Sequence, residues 1–387
     1  MKTALNNTVI VAIPVLLVGG TEMQTLHLIR VLIGNGYQVV VCCYYEYDET
    51  MVLSMESAGA KVVTMDLTRV DGLRFLLNEL IRLFKELNPQ IVHVQYVAPG
   101  FIPIIAARFA GIKNILATVH QPGRTHGWKA RLILRTAARF CSIFLCVSRS
   151  AEKSWFGDSA LFTPELYQNG RGHFTIYNAV DTAMIAKEAR SEQVARLRSS
   201  LGLEDKRVVG YVGRLRWEKG PHFLIEAFAK VAQDIPDAVL LIVGNGPDRQ
   251  VLEIRAKTLG IAENVIWLGQ MHQDEVFRLY GIIDVIAMPS IFEGFGLTAA
   301  EAMAAGLPVV GSAVDGLAEI IIDQETGLLV PPQDANALAA ALTALLASPE
   351  RAFMMGSKGR QRVNTHFSLQ KFSESTLAAY AAFQGGK

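Results

Sequence analysis

Val285-Ile286-Ala287-Met288-Pro289-Ser290-Ile291-Phe292-Glu293-Gly294-Phe295-Gly296-Leu297-Thr298-Ala299-Ala300-Glu301 reads as strand, glycine loop and helix, in that order. Val285–Met288 is a short apolar run closed by Pro289, the pattern of a strand covered on both faces. Gly294 and Gly296 let the backbone turn sharply and come close to a ligand. The helix that opens at Leu297 and Thr298 offers its first N–H groups as an anion site suited to a diphosphate. Glu293 in the loop and Glu301 one turn into the helix stand where carboxylates can accept hydrogen bonds from sugar hydroxyls on either side of the phosphates. Thr298 and Glu301 also have the spacing of a capping box. Capping alone gives no reason for Glu293 or for the glycine loop.

The same order recurs along the chain. Downstream of Asn178, apolar runs at Arg207–Tyr211, Val239–Val243, Val265–Trp267, Val309–Gly311 and Gly327–Val330 read as strands. Helical patterns lie between them at Gly220–Asp234, Asp248–Gly260, Asp274–Ile282 and Thr298–Ala305. Upstream, Val9–Val18, Val39–Tyr45, Ile91–Gln95, Ile115–His120 and Ile143–Val147 read as strands, with helices near 23–33, 73–87 and 102–110. Such alternation predicts two doubly wound α/β domains with parallel sheets, 1–177 and 178–367, and 387 residues are too many for one ordinary core. Ser368–Phe383 reads as an Ala-rich amphipathic helix. Two such sheets in series imply a cleft, and ligands of such sheets bind at the carboxyl ends of the strands.

Other strand ends carry candidate groups. In Gly210-Tyr211-Val212-Gly213-Arg214-Leu215-Arg216-Trp217-Glu218-Lys219-Gly220 a strand ends in glycine and cations follow before the next helix. Arg214 can grip a phosphate with two N–H groups and Lys219 adds a point charge, so together they can neutralise a departing diphosphate without a metal. Gly244–Pro247 and Gly269–Met271 end two more strands, either as the lining of a base and ribose pocket or as ordinary turns. Gly19-Gly20-Thr21-Glu22 follows the first strand. It departs from the G-x-G-x-x-G dinucleotide pattern, yet its backbone can approach a phosphate or a sugar. His120 ends a strand, where its side chain is expected to face the cleft.

Net charge is +1, which excludes a polycation built for nucleic acid. The halves differ: residues 1–177 carry 17 basic and 12 acidic side chains, the remainder 20 and 24. An anionic partner for the first half, a phosphorylated acceptor or a lipid surface, fits that imbalance, as does plain drift of a solvated surface. A polar loop at 121–128 leads into Lys129, Arg131, Arg135 and Arg139 interleaved with Leu132, Ile133 and Leu134. That is a basic amphipathic helix able to lie on an anionic membrane, or one with a wet face. Cys42, Cys43, Cys141 and Cys146 lack zinc-site spacing and read as buried thiols in a reducing cytosol. Val9–Val18 is too short to span a bilayer and follows no secretory signal, so the expected location is cytoplasmic, with peripheral contact at the inner face of a membrane as an option.

Glu293 and Glu301, with seven residues between them, resemble the E-x7-E signature of retaining glycosyltransferases of family 4, the glycosyl transferases group 1 family. The similarity runs from Ser290 through Gly306, Pro308 and Val310. Gly213-Arg214-Leu215 with Lys219-Gly220 resembles the family's diphosphate clamp, and Asn178-Ala179-Val180-Asp181 its entry into the second domain. Gly19-Gly20 and His120 fall where the family has a glycine loop and a donor-sugar histidine. The resemblance implies the GT-B fold: two Rossmann-like domains facing across a cleft, the first for the acceptor, the second for the nucleotide-sugar donor, with a last helix (368–387) crossing back to the first. It implies hexosyl transfer from a UDP- or GDP-sugar to a sugar, lipid-linked glycan or small-molecule hydroxyl in cell-surface glycan or glycolipid synthesis, with configuration retained and with neither metal nor other cofactor. It implies that Arg214 and Lys219 hold the diphosphate, Glu301 the ribose, Glu293 and His120 the donor sugar. Phe295, Gly296 and Leu297 then act partly through backbone, and Gly19, Gly20, Gly213, Gly244, Met271 and Thr298 complete the donor site. Attack from the leaving-group face, with the β-phosphate oxygen taking the acceptor proton, is the expected mechanism. Phe367-Ser368-Leu369 stands where many members have Phe-Ser-Trp, a departure that bears on helix docking. A nucleotide-sugar epimerase or a non-catalytic nucleotide-sugar binding protein would share the architecture.

Overall fold

The computed structural model describes residues 7–95 and 101–383. The chain divides into two compact units, Met1–Asn178 with Phe372–Lys387, and Ala179–Lys371.

In the first unit seven strands form one parallel sheet: β1 (Thr8–Ile13), β2 (Gln38–Cys43), β3 (Lys61–Thr64), β4 (Ile91–Gln95), β5 (Asn114–Val119), β6 (Ile143–Cys146) and β7 (His173–Thr175). Their order is β3-β2-β1-β4-β5-β6-β7, so the chain reverses direction across the sheet between β1 and β4. β1 is shorter than the apolar run Val9–Val18 predicts. Pro14 has no N–H to continue the ladder; Leu16 rejoins through a single bridge to Tyr47, and Leu17 and Val18 are exposed. One face of the sheet packs on helices Gly72–Leu87, Ile102–Phe109 and Arg149–Phe156 around Phe84, Phe144 and Trp155. The other packs on helix Gly20–Gly34, through Leu26, Leu28, Ile29 and Leu32, and on helix Leu369–Ala381, through Ala379 and Tyr380. Each such aliphatic side chain contributes about 1.5–3 kcal/mol by leaving water. Residues 384–387, the end of the expected last helix, lie outside the described residues.

In the second unit six strands form another parallel sheet: β8 (Arg207–Val212), β9 (Ala238–Val243), β10 (Val265–Gly269), β11 (Val285–Met288), β12 (Val309–Ser312) and β13 (Gly327–Val330). The order is β10-β9-β8-β11-β12-β13, with the reversal between β8 and β11. Gly210 in β8 has a packing reason: a Cβ there would stand 2.5 Å from Ile283 Cδ1. Helices Pro221–Asp234 and Ala335–Leu346 cover one face through Leu224, Phe228, Leu338 and Leu342. Among the described residues no helix is long and apolar enough to cross a membrane.

Candidate active site

The loops after β8 and β11 emerge on either side of the reversal point of the second sheet, where α/β proteins place ligands. The two loops are locked together. Gly220 adopts φ +69°, and a Cβ on it would lie 2.0 Å from the Pro289 carbonyl oxygen. Ile291 donates its N–H to Glu218 O at 2.9 Å. This contact brings Lys219 Nζ within 2.7 Å of Glu293 Oε2. Ser290 Oγ donates to the same oxygen at 3.3 Å, and Asp315 Oδ2 accepts the Glu293 N–H at 3.3 Å. Arg214 is exposed beside this pair in sequence, and its carbonyl accepts from the Tyr211 hydroxyl at 2.9 Å. The neighbouring strand ends are equally close. A Cβ on Gly244 would lie 2.0 Å from Gly213 O, and Gly244 donates its N–H to Gly269 O at 2.7 Å. Met271 lies between β10 and helix Gln273–Leu279.

Helix Leu297–Ala305 starts from Gly296 at φ +107°, and no side chain caps it. The capping box that Thr298 and Glu301 could form is therefore not made. Thr298 is the second residue inside the helix, and its Oγ1 donates to Val212 O at 3.2 Å, joining the helix start to the end of β8. Glu301 turns instead to Tyr280, whose hydroxyl donates to Oε2 at 2.9 Å. Burial pushes the Glu301 carboxyl up to about 7, although hydrogen bonds from Tyr280 and Gln273 favour the ionised form. The Phe295 ring is buried edge-on against Phe367, centroids 5.5 Å apart, and its backbone packs on Gly316, where a Cβ would lie 2.4 Å from Phe295 O. The second unit thus gathers the Lys219–Glu293 and Arg216–Glu218 pairs, the exposed Arg214, an uncapped helix start and a carboxyl with a raised pKa around one sheet reversal.

In the first unit, Gly19 is the N-cap of helix Gly20–Gly34 at the β1 end of the sheet reversal. His120 follows β5, and its Nε2 lies 2.8 Å from Gln95 Oε1. Burial pushes its imidazole down to about 3, so it is neutral. All four cysteines are free; burial pushes Cys43 and Cys141 up to about 12, which makes them inert rather than nucleophilic. Among the described residues one trio, Glu152, Asp158 and His173, has the spacing of cation ligands. Arg171 already pairs with Glu152 at 2.8 Å and with Asp158 at 3.0 Å, and this cluster ties helix Arg149–Phe156 to β7.

Comparison with known proteins decides the family. The model for glycosyl transferases group 1 matches residues 193–362, and that for glycosyltransferase family 4 matches 18–156. A GDP-mannose-dependent alpha-(1-6)-phosphatidylinositol monomannoside mannosyltransferase of Mycolicibacterium smegmatis is 32% identical over 351 residues, covering 87% of this chain and 86% of its own. The chain belongs to the group 1 glycosyltransferases. Its fold matches that of a glycosyltransferase from Rickettsia africae with a TM-score of 0.82 at 19% identity, covering 99% and 100% of the two chains. It matches Anabaena HepE in complex with UDP and glucose with a TM-score of 0.79 at 20% identity, covering 95% and 97%. The two parallel-sheet units are those of a GT-B glycosyltransferase.

Within this glycosyltransferase the sequence reading does not single out the residues that support the expected ones. Tyr280 and Gln273 under Glu301, Asp315 at the Glu293 N–H, and Gln95 beside His120 carry no motif, and Ser290 lies inside the matched segment without a role of its own assigned there. Ser290 and Asp315 also follow strands of the same sheet, which is the one signal that could have pointed to them.

Proposed function

We propose that this glycosyltransferase moves a hexosyl group from a UDP- or GDP-sugar to a hydroxyl of a lipid-linked or other membrane-borne glycan, with retention of configuration and without a metal. The observation that carries the reading is the 2.7 Å Lys219–Glu293 pair together with the uncapped start of helix Leu297–Ala305, with Arg214 exposed in the same loop as Lys219. Lys219, Arg214 and the helix N–H groups supply positive potential for the departing diphosphate. Glu293 shares Lys219 with that diphosphate and offers its second oxygen to a sugar hydroxyl, while Glu301 takes the ribose and His120 the sugar. The acceptor hydroxyl attacks from the leaving-group face and gives its proton to the β-phosphate oxygen. The mycolicibacterial relative is named for GDP-mannose and a phosphatidylinositol mannoside, and the Anabaena structure holds UDP and glucose; both support a nucleoside-diphosphate donor, and the first a lipid-borne acceptor.

A peripheral membrane contact has its own support. Helix Trp128–Ala138 turns Trp128, Leu132 and Ile133 to solvent, 70%, 59% and 47% exposed, with Lys129 beside them. Apolar anchors mixed with cations suit an anionic lipid surface.

The test is transfer from UDP-glucose or GDP-mannose to a panel of octyl glycosides in excess EDTA, with the product's anomeric configuration read by proton NMR. An α-linked product from the α-linked donor, at a rate indifferent to EDTA, is expected. A β-linked product, or activity that appears only with Mg²⁺ or Mn²⁺, would overturn the reading.

A further inference from the structure

We infer that Gln95 is a positioning residue that holds the proton of His120 on Nε2, and that the C-terminal helix Leu369–Ala381 holds Gln95 in turn through His93 and Tyr380. The inference rests on the reading of His120 as a contact to the donor sugar. Gln95 and His93 lie two residues apart on β4, so both side chains leave the same face of the sheet. That face is the one covered by helices Gly20–Gly34 and Leu369–Ala381. The Gln95 amide oxygen lies 2.8 Å from His120 Nε2, and its amide nitrogen lies 3.3 Å from His93 Nε2.

The chemistry of the amide then sets both rings. An amide oxygen only accepts, so His120 carries its proton on Nε2. An amide nitrogen only donates, so Nε2 of His93 is the bare nitrogen, and the Thr118 hydroxyl, 2.7 Å away, donates to it as well. The proton of His93 therefore sits on Nδ1, where the Tyr380 oxygen accepts it at 2.7 Å. Both imidazoles are neutral: burial pushes each down to about 3, and for His93 the neighbouring His120 adds to the effect. Tyr380, His93 and Gln95 are 0%, 3% and 3% exposed, so water does not substitute for a lost partner. With its proton fixed on Nε2 and shared with Gln95, His120 stands at the site as a neutral ring of one tautomer, not as an acid or a cation. Tyr380 is 287 residues from His93 in sequence, so the C-terminal helix belongs to the hydrogen-bond chain that ends at His120.

The experiment uses the full chain labelled with ¹⁵N-histidine. Long-range ¹H–¹⁵N spectra report the tautomer of each ring, and calorimetry compares GDP with GDP-mannose and UDP with UDP-glucose. His120 is expected as a single Nε2–H tautomer in the wild type and as a mixture in Gln95→Leu. Gln95→Glu keeps an acceptor oxygen on His120 and is expected to restore the single tautomer; Tyr380→Phe, which removes one oxygen, is expected to disturb His93 first. Gln95→Leu should lose about tenfold in affinity for the sugar conjugate, the worth of one hydrogen bond, and keep its affinity for the free nucleotide. An unchanged Nε2–H tautomer in a folded Gln95→Leu protein would overturn the positioning role. If His120→Ala instead binds both conjugates as the wild type does, the sugar contact of His120 falls, and the spectra still decide the role of Gln95 by themselves.

Discussion

Lys219 and Glu293 pair at 2.7 Å in the ligand-free chain, so on the proposed reading a diphosphate would share a cation that is already oriented. Arg214 has no such partner role assigned by the geometry and stands exposed. Arg214→Ala is expected to cost about 2–4 kcal/mol of transition-state stabilisation, read as kcat/KM, with little change in thermal stability. Glu301 makes a pH-dependent prediction. Its carboxyl is raised to about 7 by burial, so the folded chain holds a proton that the unfolded chain releases between the ordinary carboxylate value and about 7. Through that window this group makes stability fall as pH rises. Donor binding has the opposite slope, because a ribose hydroxyl needs the ionised carboxylate as acceptor: affinity should rise with pH up to about 7 and then level off. Tyr280 donates to the ionised form, so Tyr280→Phe should move that midpoint upward. A flat affinity profile across this range would detach Glu301 from the donor.

At the scale of elements, the alternation of apolar runs with helical patterns made most of both sheets legible. Parallel strands buried on both faces leave long apolar signatures, as Val9–Ile13 and Ala238–Val243 do. Strands β3 and β7 leave no such signature: β7 is three residues long, and β3, Lys61–Thr64, has no buried residue. Helices Ala335–Leu346 and Pro349–His366 are likewise unread, the first nearly apolar all round and the second largely polar, so neither shows a clear 3.6-residue stripe. In the site the glycines were readable as turns and close approaches, and Gly220, Gly244 and Gly296 bear this out, each at a positive φ with no room for a Cβ. Tyr280, Asp315 and Gln95 were not, since their roles come from contacts that only the folded chain creates. Gly220 tests the loop lock. Gly220→Ala puts a Cβ against Pro289 at a positive φ and should cost at least about 2 kcal/mol in denaturant unfolding while displacing Lys219. Gly34→Ala meets nothing within 4 Å at a helix end and should be neutral or slightly stabilising. Equal stability of the two variants would remove the packing argument.

At the scale of the molecule, each unit has its own core and its own charge character, basic in residues 1–177 and acidic beyond. If the basic unit meets lipid through helix Trp128–Ala138, the wild type should sediment with phosphatidylglycerol vesicles and not with phosphatidylcholine vesicles. Changing Trp128, Leu132 and Ile133 together to Ser should abolish that cosedimentation without loss of donor affinity; equal binding by this variant would rule the helix out. The second unit carries the donor proposal. Calorimetric titration of UDP, GDP and ADP, with the corresponding sugar conjugates, into the wild type and into an Arg214→Ala, Lys219→Ala double variant weighs it. Micromolar binding of one nucleotide family, lost in the folded double variant, is the predicted result, and binding that survives both substitutions, or no binding by any of them to the wild type, would contradict it.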